Sequence, residues 1–236
     1  MNPGIKGYRE VFYATDRVRA AGGTFGADAS DEGRLQFGRS VVSIPEAHQR
    51  GELERPWQIF SVSLPEDAQR HIVIARRGSL EQEAFFSGVT SAIDGAPDSG
   101  AFVFVHGFNV SFDDAVLRTG QLAWDIKFRG LAVTYSWPSA AAMAKYVSDL
   151  DMADWTAPHL ASFLQELRKR TGRRTIHLVA HSMGSRVLSM ALDRLALLNP
   201  IALNHFQEVV RKRPTNATLT GVVEVVNGAA RPRRRE

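Results

Sequence analysis

The sequence predicts an α/β fold in which a mostly parallel, doubly wound sheet follows a β-rich N-terminal lead-in. Three observations predict it. After residue 98, strand-length apolar runs alternate with helix-length amphipathic runs. Before it, short β-rich runs are bounded by Gly, Pro and Asp. Three motifs able to carry chemistry, "HGFN", "SWPS" and "HSMG", each follow a strand, at the sheet end where such folds gather their sites.

The lead-in, residues 1–97, holds four expected strands, "EVFYATDR", "RSVVSIP", "PWQIFSVSLP" and "HIVIARR", and a helix, "EQEAFFSGVTSAI". It is expected to pack on the same domain as the rest. "DGAPDSG" is a turn-rich connector. "AFVFVHGF" is apolar throughout, as a strand covered on both faces should be. "SFDDAVLRTGQLAWDIKF" has helical spacing, with Ser111 as N-cap and acidic residues in its first turn. "GLAVTYSWP" is a strand ended by Pro138. "PHLASFLQELRKR" puts Leu160, Phe163, Leu164 and Leu167 on one helix face, with cations in the last turn. "RTIHLVAHS" is a further strand, "SRVLSMALDRLALL" a further helix, and "HFQEVV" the start of the next strand. These elements make residues 98–210 the α/β core and leave 211–236 as a basic tail expected to be disordered.

The totals narrow the function. The chain has 236 residues, 44% hydrophobic and 23% charged, enough for one medium-sized domain with its own core. It has no cysteine, which excludes disulfides, thiolate metal sites and a cysteine nucleophile. No signal-peptide layout opens it and no apolar run reaches membrane-spanning length, so a cytoplasmic protein without a membrane span is expected. The net charge is +4. Seven of the 29 basic and two of the 25 acidic residues lie from Arg211 onward, which leaves residues 1–210 at a net −1. The basicity belongs to the tail. With no phosphate-binding loop and no basic-aromatic stripe, no nucleic-acid partner is expected. The histidines are scattered and form no H-x-x-x-H or H-E-x-x-H helix, so neither a metal nor another cofactor is expected.

The stretch "LVAHSMGSR" carries the sharpest signal. A hydrolytic serine needs exposure, donors for a developing oxyanion, and a proton acceptor. A strand-turn-helix elbow supplies the first two, and it requires small residues two places before and after the serine. Around Ser182 these are Ala180 and Gly184. The competing reading makes Ser182 a helix N-cap. As a nucleophile, Ser182 would have the N–H of Met183 as one oxyanion donor, at a helix N-terminus. In "VHGFN", Gly107 permits a close turn, the N–H of Phe108 is the second donor, and His106 orients the loop. "HGFN" and "SWPS" could also line an acyl pocket beside Phe108 and Trp137, or those rings could be core.

Together "FVHGFNVSFDDA", "YSWPS" and "LVAHSMGSRVL" resemble the α/β-hydrolase superfamily, and more narrowly a bacterial family of uncharacterised α/β hydrolases. "VFYATDR" and "VVSIPEAHQRGELERP" resemble that family's lead-in, so the likeness runs from about residue 10 to 210. It implies an esterase or lipase-like serine hydrolase acting on carboxylic esters, with a small-molecule ester as substrate.

The resemblance also implies an acid and then a histidine on loops after later strands. The chain has no aspartate after Asp193 and no histidine after His205. His205 begins an expected strand, Glu208 lies inside it, and Glu224 has no histidine following. His181 is expected to point away from the nucleophile's pocket, while His159 and His177 begin a helix and a strand. Asp149, Asp151 and Asp154 are expected in a solvated loop and helix start. The expectation is a hydrolase impaired by an incomplete triad, its last strands missing through truncation or a frameshift. The alternative is a non-catalytic pseudo-hydrolase that binds a partner or an acyl ligand. Loss of later strands would expose "HFQEVV" as a sheet edge open to self-association.

Overall fold

The structure, a computed structural model, describes residues 3–55, 58–59, 62–63, 65–96, 100–140, 146–172, 175–198 and 220–225. In chain order the strands are β1 (Ile5–Thr15), β2 (Arg17–Arg19), β3 (Phe25–Ala29), β4 (Gln36–Pro45), β5 (Gln58–Ile59), β6 (Val62–Ser63), β7 (Val73–Leu80), β8 (Ala101–Val105), β9 (Leu131–Ser136), β10 (Ile176–His181) and β11 (Thr220–Val225). The helices are α1 (Gln82–Asp94), α2 (Phe112–Asp125), α3 (Tyr146–Thr171) and α4 (Met183–Leu198).

Seven strands form one sheet in the order β11-β10-β8-β9-β1-β4-β7. The β10, β8, β9 and β1 strands are mutually parallel. The β4 and β11 strands run against their neighbours, and β7 runs against β4, hence in the common direction. The sheet is thus mostly parallel, with strands of the lead-in hydrogen-bonded directly to those of the α/β core. "HFQEVV" lies outside the described residues, as does most of "PWQIFSVSLP".

Period-2 alternation divides each central strand between the two faces. Phe12, Val103, Val105, Val133, Tyr135, Leu178 and Ala180 face α1, α3 and α4, where they form the largest core cluster with Phe85, Phe163 and Val187. Val11, Tyr13 and Val42 face α2 and pack with Phe112, Val116 and Leu117. Helices therefore cover both faces, as the uninterrupted apolar run of β8 requires: all five of its residues are buried. An aromatic cluster joins the elements on the first face, with Phe85 at 5.6 Å from Phe12 and 4.8 Å from Phe37.

Two elements differ from expectation. Helix α3 begins at Tyr146 and carries Pro158 inside it, whereas the sequence reading began it at that proline. A proline removes one backbone donor and favours a helix start, but twelve residues before it are helical here. Within the expected disordered tail, Thr220–Val225 forms β11, paired antiparallel with β10 along its whole length. Its β-branched "TGVVEV" has strand propensity that the charge of the flanking residues obscures.

The turn after β4 is tied to the end of α2 by one histidine. His48 Nδ1 lies 2.9 Å from the Glu54 carboxylate, and Nε2 lies 2.8 Å from Asp125 Oδ1. With a carboxylate on each nitrogen, both must donate, so the ring is an imidazolium. Burial opposes that charge, but the hydrogen bonds donated to Asp125 and Glu54 outweigh it and raise the pKa above the usual histidine value. The same contacts hold both carboxyls below their ordinary range. A raised folded-state pKa makes this clip's contribution complete below about pH 6.5, and it is lost as pH rises through the folded value. His48→Gln should therefore cost more stability at pH 6 than at pH 9 in urea unfolding. An equal cost at both would show the ring is neutral.

Candidate functional site

The turn between β10 and α4 holds one of three non-glycine residues with left-handed backbone, beside Asn109 and Lys127. Ser182 has φ 52°, is exposed, and is followed at once by the buried Met183 and Gly184. A non-glycine residue in this region costs on the order of 1–3 kcal/mol and persists only where its surroundings fix it. Here they do. A Cβ on Gly184 would lie 2.3 Å from the His106 carbonyl oxygen and 2.4 Å from that of Val105. A Cβ on Gly107 would lie 2.9 Å from His181 Nδ1 and 3.0 Å from Ser182 Cβ. The end of β8 and the start of α4 are thus in backbone contact, which only glycine at both positions allows. The first amides of α4, including that of Met183, have no acceptor within their own helix. They open at the same sheet end as Gly107 and Phe108.

Behind this contact lies a buried guanidinium. Arg17 is 1% exposed and follows β1, at the carboxyl end of a central strand. Its Nε donates to Ser136 Oγ at 3.0 Å, Nη1 to the Gly26 carbonyl at 2.9 Å, and Nη2 to the Val110 carbonyl at 2.8 Å. Nη1 also reaches the Ser139 carbonyl at 3.3 Å. One side chain therefore ties together strand β3, the loop after β8, and the end of β9 with its following loop. Burial lowers its pKa to about 10, against the opposing pull of Asp16 and Asp149, so it stays charged at neutral pH.

His106 completes the support. It is buried, and its ring stacks on Trp137 at 5.3 Å with 9° between planes. Nδ1 donates to the Gly107 carbonyl at 2.8 Å, while Nε2 faces the Ser136 hydroxyl at 3.2 Å and Arg17 Nη2 at 3.4 Å. Burial, and then the Arg17 charge, drive its pKa down to about 3. The ring is neutral and fully engaged. Trp137 is completely buried and donates to the His106 carbonyl at 2.8 Å, so of the two readings offered for that ring the core one holds. Phe108 is partly buried against the main core cluster.

Two buried aspartates support the site, and one of them lies deeper than the sequence reading placed it. Asp149, expected in a solvated segment, is 1% exposed. It accepts from the Ser139 hydroxyl at 2.6 Å and from the Ala140 amide at 3.1 Å. Ser139 Oγ in turn accepts from the Asn109 amide at 2.9 Å, which fixes the turn after Phe108, where Asn109 has φ 58°. The carboxylate is buried because it closes a chain of hydrogen bonds from the "SWPS" loop to the "HGFN" loop. Asp16, wholly buried, accepts from the Tyr135 hydroxyl at 2.9 Å, from Thr156, and from His159 Nδ1 at 3.0 Å. Asp151 is exposed, and Asp154 pairs with Arg186 at the surface.

Among the described residues, no histidine or carboxylate is hydrogen-bonded to the Ser182 hydroxyl. His159 is committed to Asp16, and His106 to Gly107 and Ser136. His177 sits near the amino end of β10, at the far side of the sheet from Ser182. His205 and Glu208 lie outside the described residues. Glu224 is paired with His177 in the sheet register, while Thr220 is the β11 residue opposite His181. The strand thus carries Glu224 away from the elbow. A cleft of about 500 Å³ lies on the α2 side of the elbow, lined by Gly107, Asn109, Asp114, Arg118 and His181 among others. Burial, then the Arg118 charge, keeps His181 below the ordinary histidine pKa. No group of three or more histidines, cysteines or carboxylates able to hold a metal occurs among the described residues. None of their helices is long and apolar enough to cross a membrane.

Arg17, Asp16, Ser136 and Ser139 were not singled out from the sequence. One signal was present. "TDR" sets three polar residues directly after the apolar "VFYA" of a strand, where chain leaving a buried sheet must find partners.

A family model described as an alpha/beta hydrolase of unknown function (DUF900) matches residues 82–215. No curated protein and no solved structure matches the chain.

Two substitutions test the architecture. Gly184→Ala should cost at least about 1–3 kcal/mol, because a methyl cannot fit against two carbonyl oxygens without moving β8 from α4. Arg17→Met should cost about 3–5 kcal/mol, by leaving Asp16 and Asp149 buried without their cation. Both are read by chemical unfolding; a loss under ~0.5 kcal/mol, typical of surface changes, would contradict either account.

Proposed function

Because the chain belongs to this α/β-hydrolase family of unknown function, we propose that it descends from a serine hydrolase acting on carboxylic esters, with Ser182 as nucleophile. The observation that carries the reading is the left-handed φ of Ser182 on an exposed turn whose neighbouring glycines lock it against the β8 loop. In the proposed chemistry the Ser182 oxygen adds to the ester carbonyl. The N–H groups of Met183 and Phe108 receive the oxyanion that forms, at the N-terminal end of α4 where the helix dipole favours negative charge. His106 positions the loop that carries Phe108 and takes no proton, since its acceptor nitrogen is occupied and its basicity suppressed.

Attack by a serine hydroxyl also needs a base. None of the described residues supplies one, so the activity of this chain is proposed to be impaired. The oxyanion donors and binding alone can retain about 10³–10⁴-fold over water, against the roughly 10⁶-fold that triad removal costs in a serine protease. The same observation favours the second reading, a pseudo-hydrolase that keeps the cleft as a binding surface for an acyl ligand or a partner.

A fluorophosphonate probe separates the two, because it modifies only a serine whose oxygen is activated. The hydrolase reading expects slow labelling that disappears in Ser182→Ala, together with weak turnover of short p-nitrophenyl esters. Absence of labelling, with ester turnover equal in the parent chain and Ser182→Ala, would leave the binding reading in its place.

A further inference from the structure

The opposite end of the sheet carries a second cavity, of about 460 Å³, that shares no residue with the elbow. Three segments remote in sequence line it. Strand β1 gives Lys6 and Arg9, the turn after β4 gives His48 and Arg50, and the stretch from the end of α2 towards β9 gives Trp124, Asp125, Lys127 and Arg129. Among the described residues none of its five Lys and Arg side chains is paired with a carboxylate. The one carboxylate in the lining, Asp125, is consumed by protein groups. Its Oδ1 receives His48 Nε2 at 2.8 Å, and its Oδ2 receives the Gly51 amide at 2.7 Å as well as Gln121.

Arg9 shows that the cluster is more than a solvated face. Its guanidinium lies 5.1 Å from the centre of the Trp124 ring, and its Nε is buried with no hydrogen-bond partner. Burial lowers its pKa below the ordinary arginine value. A partly desolvated cation with an unmet donor is costly unless an anion meets it. Cations beyond a helix C-terminus offset the helix dipole, which accounts for Lys127 and Arg129. It does not account for Lys6, Arg9 and Arg50, which come from other elements and converge on the same space.

We propose that this cavity is a binding site for a phosphate-bearing anion of two or more charges, held by Lys6, Arg9, Arg50, Lys127 and Arg129. The cavity size is within the range of small-ligand sites, roughly 300–1,000 Å³, and several cations around one concavity suit a multiply charged phosphate better than a single carboxylate. Free small molecules and lipid headgroups both carry such a phosphate, and the test separates these sources.

Inorganic pyrophosphate is titrated calorimetrically into the full chain at low ionic strength, and flotation is measured with phosphatidylcholine vesicles containing phosphatidic acid. The arginines at 231, 233, 234 and 235 could also hold anions, so a variant with all four changed to Gln is run beside the parent. The site variants are Lys127→Glu with Arg129→Glu, and separately Arg50→Glu, all at exposed positions, with thermal melts confirming the fold. Pyrophosphate binding that survives the tail variant and weakens at least about tenfold in either site variant supports the site with a soluble ligand. Vesicle binding with that same dependence, and no pyrophosphate binding, supports it with a headgroup. Binding that follows the tail variant alone, or no binding of either probe, overturns the proposal.

Discussion

One buried cation sets the geometry at the functional end of this molecule. Arg17 donates to groups on strand β3, on the loop after β8, and on β9 and the loop that follows it. A guanidinium suits the task because its donors lie in a rigid plane and stay charged at neutral pH even when buried. Two aspartates, Asp16 and Asp149, balance its charge from within the same buried region. Those aspartates in turn hold Thr156 and His159 of α3 and the Ser139 loop. The sheet end is therefore a single polar assembly inside an otherwise apolar core, and its parts are coupled.

The elbow exploits that rigidity. Left-handed backbone at Ser182 is tolerable because glycine at 107 and 184 brings β8 and α4 into direct contact, and because the β8 loop is anchored from behind. In the proposed reading, what is assembled is the part of a hydrolytic site that the backbone makes: an exposed hydroxyl beside helix N-terminal amides. What is not assembled, among the described residues, is the part that side chains from later strands would make. A scaffold can keep the first after losing the second, since the backbone contact stabilises the fold whether or not a proton is ever transferred.

Much of this was legible in the chain. The apolar runs of β8, β9 and β10 and the helical spacing of α2 gave the layered α/β order, because burial on two faces leaves a continuous apolar run that no loop imitates. Ser111 was readable as a cap, and its side chain does accept from the Asp114 amide. Ala180, Ser182 and Gly184 marked the elbow because steric limits there are local. The supporting network was not legible. Arg17 meets Ser136 and His106 across separations of 119 and 89 residues, and the polar run after an apolar strand marks it locally without naming those partners. Asp149 was misplaced for the same reason: an aspartate near a helix start is usually solvated, and only the tertiary position of Ser139 buries it. The β11 strand hid between the basic clusters that flank it on either side.

The place of β1 in the sheet has a consequence for biosynthesis. It is the first strand of the chain, yet it lies between β4 and β9, and its Thr15 hydroxyl bonds to Ser136 across 121 residues. On the ribosome, β1, β4 and β7 can pair as soon as they emerge. The other side of β1, with Phe12 and its open backbone groups, then waits through the 50 residues between Leu80 and Leu131 before β9 arrives. Nascent chains of this topology carry an unsatisfied edge until that strand emerges, so their yield depends on how fast elongation closes the gap relative to chaperone capture or aggregation.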